Sequence, residues 1–133
     1  MFLKTVTLSA LICTVWSNKV SDDLIDDWNN IASQYAAECI ERTGANPVLV
    51  DSMFKEHKLV DEEHVRCYIM CLNEKYEYIL PDGNFDGDKI VNDVEHVTYD
   101  IMDRCGKKVE NEKDLCKKSY LLALCFAEEN YSV

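Results

Sequence analysis

Proline and glycine are scarce in this chain of 133 residues, which has two prolines, Pro47 and Pro81, and four glycines. No linker, internal repeat or low-complexity tract divides it, so one domain is expected. Alternating apolar and polar runs are missing, which argues against a sheet-based fold. Basic residues are outnumbered, 14 against 25 acidic, and the net charge of −11 repels nucleic acid and anionic lipid heads. The usual catalytic signatures are absent too: no G-x-S-x-G, no H-E-x-x-H and no glycine-rich phosphate loop. No enzyme and no cofactor is therefore expected.

No apolar run reaches the roughly 20 residues that a membrane span needs. The nearest is Val6, Leu8, Ala10, Leu11, Ile12 and Val15, preceded by Lys4 and followed by the acidic Asp22, Asp23, Asp26 and Asp27. With Val15-Trp16-Ser17 as a cleavage segment, residues 1–17 read as a signal peptide and 18–133 as the mature domain, a secreted protein without membrane insertion.

What remains is helical pattern. Leu24, Trp28, Ile31 and Tyr35 recur at helical spacing behind a Ser21 cap, and Gly44 closes that helix. Asn46-Pro47 reads as cap plus first residue of a short helix bearing Val50, Met53 and Phe54. Asp61 is expected to cap a third helix with the stripe Val65, Tyr68, Ile69, Leu72 and Tyr76. A turn at Pro81-Asp82-Gly83-Asn84 precedes Ile90, Val94, Val97 and Ile101, which fit one long helix or two joined near Thr98. Gly106 suits a helix stop and Asn111 a final cap. Ser119 to Ala127 is apolar on nearly every side, which places the last helix at the centre.

Cysteine carries the strongest signal. Cys13 falls in the leader, and six remain: Cys39, Cys67, Cys71, Cys105, Cys116 and Cys125. An even number in a short secreted chain reads as a disulfide framework. Zinc is not expected, because only Cys67 and Cys71 are close and no histidine stands in register with them. Cys67 and Cys71 share one helix face, whereas Cys116 and Cys125, nine apart, face opposite sides of theirs. Each helix is thus suited to bonding two partners. Six cysteines allow 15 pairings, and spacing alone does not choose among them.

The spacing C-x27-C-x3-C-x33-C-x10-C-x8-C, with Asp114-Leu115-Cys116-Lys117-Lys118-Ser119-Tyr120 leading to Cys125-Phe126, resembles the insect odorant-binding protein family, including its pheromone-binding members. The resemblance covers essentially the whole mature chain; its x33 gap is somewhat short, which suggests a trimmed loop around residues 81–87. It implies the pairs Cys39–Cys71, Cys67–Cys116 and Cys105–Cys125. It also implies an all-α compact bundle of about six helices around an internal apolar pocket. The implied function is a soluble carrier that takes small hydrophobic odorants or pheromones through extracellular fluid to an olfactory receptor, as a monomer or weak homodimer. The alternative is a disulfide-stapled protein that acts by binding another protein. A void of about 300 Å³ would cost on the order of 7 kcal/mol, and three disulfides at about 3–4 kcal/mol each offset that.

The expected pocket wall is Met53, Phe54, Ile69, Met70, Leu80, Ile90, Val94, Val97, Leu124 and Phe126, with Tyr131 and Val133 of the tail as a lid. Tyr68, Tyr76, Tyr120 and Glu74 could orient a ligand. His57, His64 and His96 could make release depend on pH. Asp82 to Asp88 resembles the start of a calcium loop, but Asp93 stands where a bidentate glutamate belongs and Lys89 where an apolar residue usually sits, so no metal site is expected. Asn130-Tyr131-Ser132 is a glycosylation sequon expected to stay unused.

Overall fold

Local capping chemistry decides where most of the helices begin. The computed structural model describes residues 19–132; the expected leader and Val133 lie outside them. Lys19–Val20 form β1, after which the Ser21 side chain accepts the Leu24 N–H and opens α1, Asp22–Ser33. Asn46 caps α3, Pro47–Lys55, by accepting the Val48 N–H at 2.9 Å, with proline at the first helical position. α5 (Gly87–Asp93) starts at Asp86 and α6 (Tyr99–Val109) at Thr98.

Several boundaries differ from the sequence reading. The first helix is two, α1 and α2 (Ala36–Thr43), because Tyr76 competes for a backbone carbonyl. In an unbroken helix the Tyr35 N–H would bond to Ile31 O. Here Tyr76 Oη donates to that carbonyl at 2.7 Å, the Tyr35 N–H turns to Ala32 O, and the two rings meet edge to face at 5.1 Å. Glu62, not Asp61, caps α4 (Glu63–Lys75), accepting the His64 and Val65 N–H groups, while Asp61 pairs with Arg66 at 2.6 Å. Of the two alternatives for the 90–101 stripe, two helices joined near Thr98 is the one found: Val94 is extended, His96 has φ 61°, and Thr98 Oγ1 accepts the Ile101 N–H. Gly106 stops nothing, since α6 runs through it to Val109, which is 2 % exposed. A helical glycine costs about 1 kcal/mol, less than the roughly 1.5–3 kcal/mol that burying a valine contributes. Asp114, not Asn111, caps α7 (Leu115–Glu129) through the Cys116 and Lys117 N–H groups.

Among the described residues there are thus seven helices rather than about six, plus one two-stranded antiparallel ribbon. In it Val20 faces Tyr131 of β2 (Tyr131–Ser132), so the two ends of the domain are clipped together.

The helix α7 is central: it packs on α4 and on α6 and buries Ser119, Tyr120, Leu122, Cys125 and Phe126. Three disulfides stitch this assembly: Cys39–Cys71 joins α2 to α4, Cys67–Cys116 joins α4 to α7, and Cys105–Cys125 joins α6 to α7. This is the pairing that the resemblance implies. The loop after α4 is held from below by Lys118. Its ammonium is buried, donates to Gly83 O at 2.8 Å and lies 5.5 Å from the centre of the Phe85 ring. Gly83 has φ 84°, a left-handed turn position that favours glycine. Around it Asp82 accepts the Asn84 N–H and Asp86 the Lys89 N–H, so two of the three carboxylates of this calcium-like stretch serve turn and helix geometry. No described helix is long and apolar enough to cross a membrane.

Candidate functional site

Between α7 and the helices around it the chain leaves a cavity of about 360 Å³. The helix α7 lines it with Ser119, Leu122, Ala123, Leu124, Phe126 and Ala127. One wall comes from α1 (Ile25, Trp28, Ile31, Ala32) and another from α4 (Ile69, Leu72, Asn73). Met53, Phe54 and the segment His57-Lys58-Leu59 close a third side, and Val20 and Tyr131 of the ribbon close a fourth. Of the lining residues only Lys58 is exposed, so it marks the mouth.

Eight of the residues expected at a pocket stand at this wall: Met53, Phe54, Ile69, Ile90, Val94, Leu124, Phe126 and Tyr131. Four do not. Met70 and Leu80 flank a separate outer depression with Glu74 and Lys89: Met70 lies on the side of α4 next to the loop that follows this helix, and Leu80 belongs to that loop. Val97 is buried in the α6–α7 core, beside Ile101 and Cys105. Val133 lies outside the described residues.

Of the polar candidates, Tyr76 reaches the cavity, but its hydroxyl is spent on Ile31 O. Tyr68 and Tyr120 are buried in the cluster that α2, α3 and α4 form with α7, and Glu74 pairs with Arg42 at 2.5 Å. Burial pushes the Tyr68 phenol up to about 12. Desolvation also raises Tyr78, and nearby Asp93, whose carboxylate accepts its hydroxyl at 3.2 Å, adds to that. These phenols stay neutral donors at ordinary pH.

The sequence pattern missed several lining groups. Trp28 and Ile31 belonged to a recognised stripe whose direction was unknown. His57 to Leu59 carried no periodic signal. His57 has φ 51°, the left-handed position that commonly reverses a chain just past a helix end, and histidine is among the residues that tolerate it. That reversal brings its ring under the cavity, with Nε2 3.0 Å from Asp22. Ser119 was seen only as the start of an apolar run; it is wholly buried, and its Oγ has no hydrogen-bond partner among the described residues.

Asn130 donates its side-chain amide to Phe126 O at 2.9 Å and His96 O at 3.2 Å, so the sequon nitrogen is occupied by the fold. The one grouping of potential metal ligands among the described residues, Cys105, Cys125 and Glu129, contains two sulfurs already bonded to each other.

Comparison with known proteins follows the same lines. A solved structure, odorant binding protein 5 of Apis mellifera, superposes with a TM-score of 0.54 at 24% identity over 84% of this chain and 93% of that one, which establishes a shared fold. General odorant-binding protein 57c of Drosophila melanogaster is 27% identical over 128 residues, covering 95% of this chain and 79% of the relative. General odorant-binding protein 99b of the same species is 26% identical over 108 residues, 74% of this chain and 71% of the relative. Residues 21–129 match the model of the PBP/GOBP family, and with that span covering most of the sequence the chain belongs to this family.

Proposed function

We propose that this protein is a secreted carrier that encloses a small apolar molecule, of odorant or pheromone type, and delivers it through extracellular fluid to a receptor. The observation that carries this reading is the cavity: about 360 Å³ bounded mainly by aliphatic and aromatic side chains, inside a frame held by three disulfides. Its volume lies in the range of small-molecule sites. Relatives named as odorant-binding proteins support the same role. The six paired cysteines and the apolar leader support secretion.

The test is direct binding of N-phenyl-1-naphthylamine, a neutral apolar fluorophore, to the mature protein with all three disulfides formed. Saturable micromolar binding, reversed by competing apolar molecules, is expected. Absence of binding by correctly oxidised protein would leave only the alternative role, recognition of another protein.

A further inference from the structure

The cavity wall has a charge bias that the rest of the molecule does not share. The chain has 25 acidic residues, yet among the described residues no aspartate or glutamate lines the cavity. The two side chains there that can be cationic are neighbours, His57 and Lys58. Lys58 is the exposed residue at the mouth and is paired with no carboxylate among the described residues. His57 Nδ1 is buried and has no hydrogen-bond partner there. An unpaired buried polar atom costs about 1–3 kcal/mol, so a ligand group that satisfies it is favoured.

The Asp22 carboxylate sits 3.0 Å from the other ring nitrogen, Nε2, which therefore carries a proton. Nδ1 is then a lone pair when the ring is neutral and an N–H when it is charged. A carboxyl group suits both cases, because a carboxylate accepts from imidazolium and a carboxylic acid donates to neutral imidazole. Its second oxygen is left for an ammonium. An alcohol could satisfy Nδ1 but would leave Lys58 to solvent. Asp22 itself is 81% exposed, so water and salt screen its repulsion of an incoming anion.

We propose, building on the carrier reading, that the cavity takes a medium-chain carboxylic acid, with its hydrocarbon inside and its carboxylate at the mouth between Lys58 Nζ and His57 Nδ1. Size sets the chain length. At about 30 Å³ per water-sized group, 360 Å³ holds roughly a dozen non-hydrogen atoms, the size of decanoic acid.

Displacement of the neutral naphthylamine by decanoic acid and by decan-1-ol at pH 7 tests this on the mature, oxidised protein. Decanoic acid is expected to compete about tenfold better than decanol. Lys58→Gln should lower the affinity for the acid several-fold more than it changes that for the naphthylamine or decanol, and Lys58→Arg should restore it. His57→Gln, with its fold checked by circular dichroism, should lower the acid's affinity in the same selective way. Equal competition by acid and alcohol, or an unchanged affinity for the acid in Lys58→Gln, would overturn the head-group assignment and leave the carrier reading standing. Failure of the naphthylamine itself to bind would overturn both.

Discussion

Two halves of this molecule solve different problems. The spine, α2–α4–α7–α6, is stitched at every step by a disulfide. The cover, made of α1, α3 and the β1–β2 ribbon, contains no cysteine and is held by side-chain packing, one short backbone pairing and a few hydrogen bonds. The cavity lies where the two meet. Covalent bonds are spent on elements that must not separate, and the elements a guest must pass are left free to open. Local opening is cheapest where buried contacts are fewest.

The largest effect should come from cutting the spine. Cys67–Cys116 closes the longest loop, with a separation of 49, and Cys105–Cys125 the shortest, 20. In the chain-entropy account their loss costs about 4 and about 3 kcal/mol respectively. Replacing both cysteines of each pair with serine should lower the denaturation midpoint in that order. A Cys67/Cys116 double variant as stable as the parent would mean that the spine does not depend on its bridge.

How much of this was legible beforehand depends on whether the cause is local. The six-cysteine spacing was readable, as were the Ser21 and Asn46 caps, because these are local signals: a short polar side chain accepts a helix N–H at each cap. The break between α1 and α2 was not, because its cause is Tyr76, 45 residues from the Ile31 carbonyl that it takes. Glu62 in place of Asp61, and Asp114 in place of Asn111, show that neighbouring polar residues compete for one cap, and packing decides which wins. Met70 was misplaced because α4 is apolar over a wide arc, so periodicity does not say which part of the arc faces the cavity. His57 and Lys58 were illegible as wall residues, since they lie past a helix end where the chain reverses at a left-handed residue.

A smaller effect sharpens the account of the spine. Tyr68 is wholly buried, and its hydroxyl has no partner among the described residues. Tyr68→Phe should therefore raise stability, by about 1 kcal/mol, in chemical denaturation at pH 7. The variant should also lose part of the alkaline sensitivity. Burial raises the folded phenol from 10 to about 12, so its contribution is whole below pH 10 and is lost as pH climbs toward the folded value. Destabilisation by Tyr68→Phe would reveal a partner for that hydroxyl.

The cover should yield the smallest change in stability and a clear change in retention. Tyr131 is half-buried, lines the cavity and pairs with Val20 in the ribbon. Removing residues 131–133 deletes that pairing but leaves α7 capped at Asn130 and every disulfide intact. Stability should fall by less than about 1 kcal/mol, as for segments with few buried contacts. The naphthylamine should nevertheless dissociate several-fold faster in stopped-flow displacement, because one side of its enclosure is gone. The separation of the two readouts carries the argument. A ribbon that belonged to the spine would move both together, whereas a ribbon that is only a cover moves retention and spares the fold. Truncation that unfolds the protein as badly as loss of Cys67–Cys116 would erase the distinction between the halves.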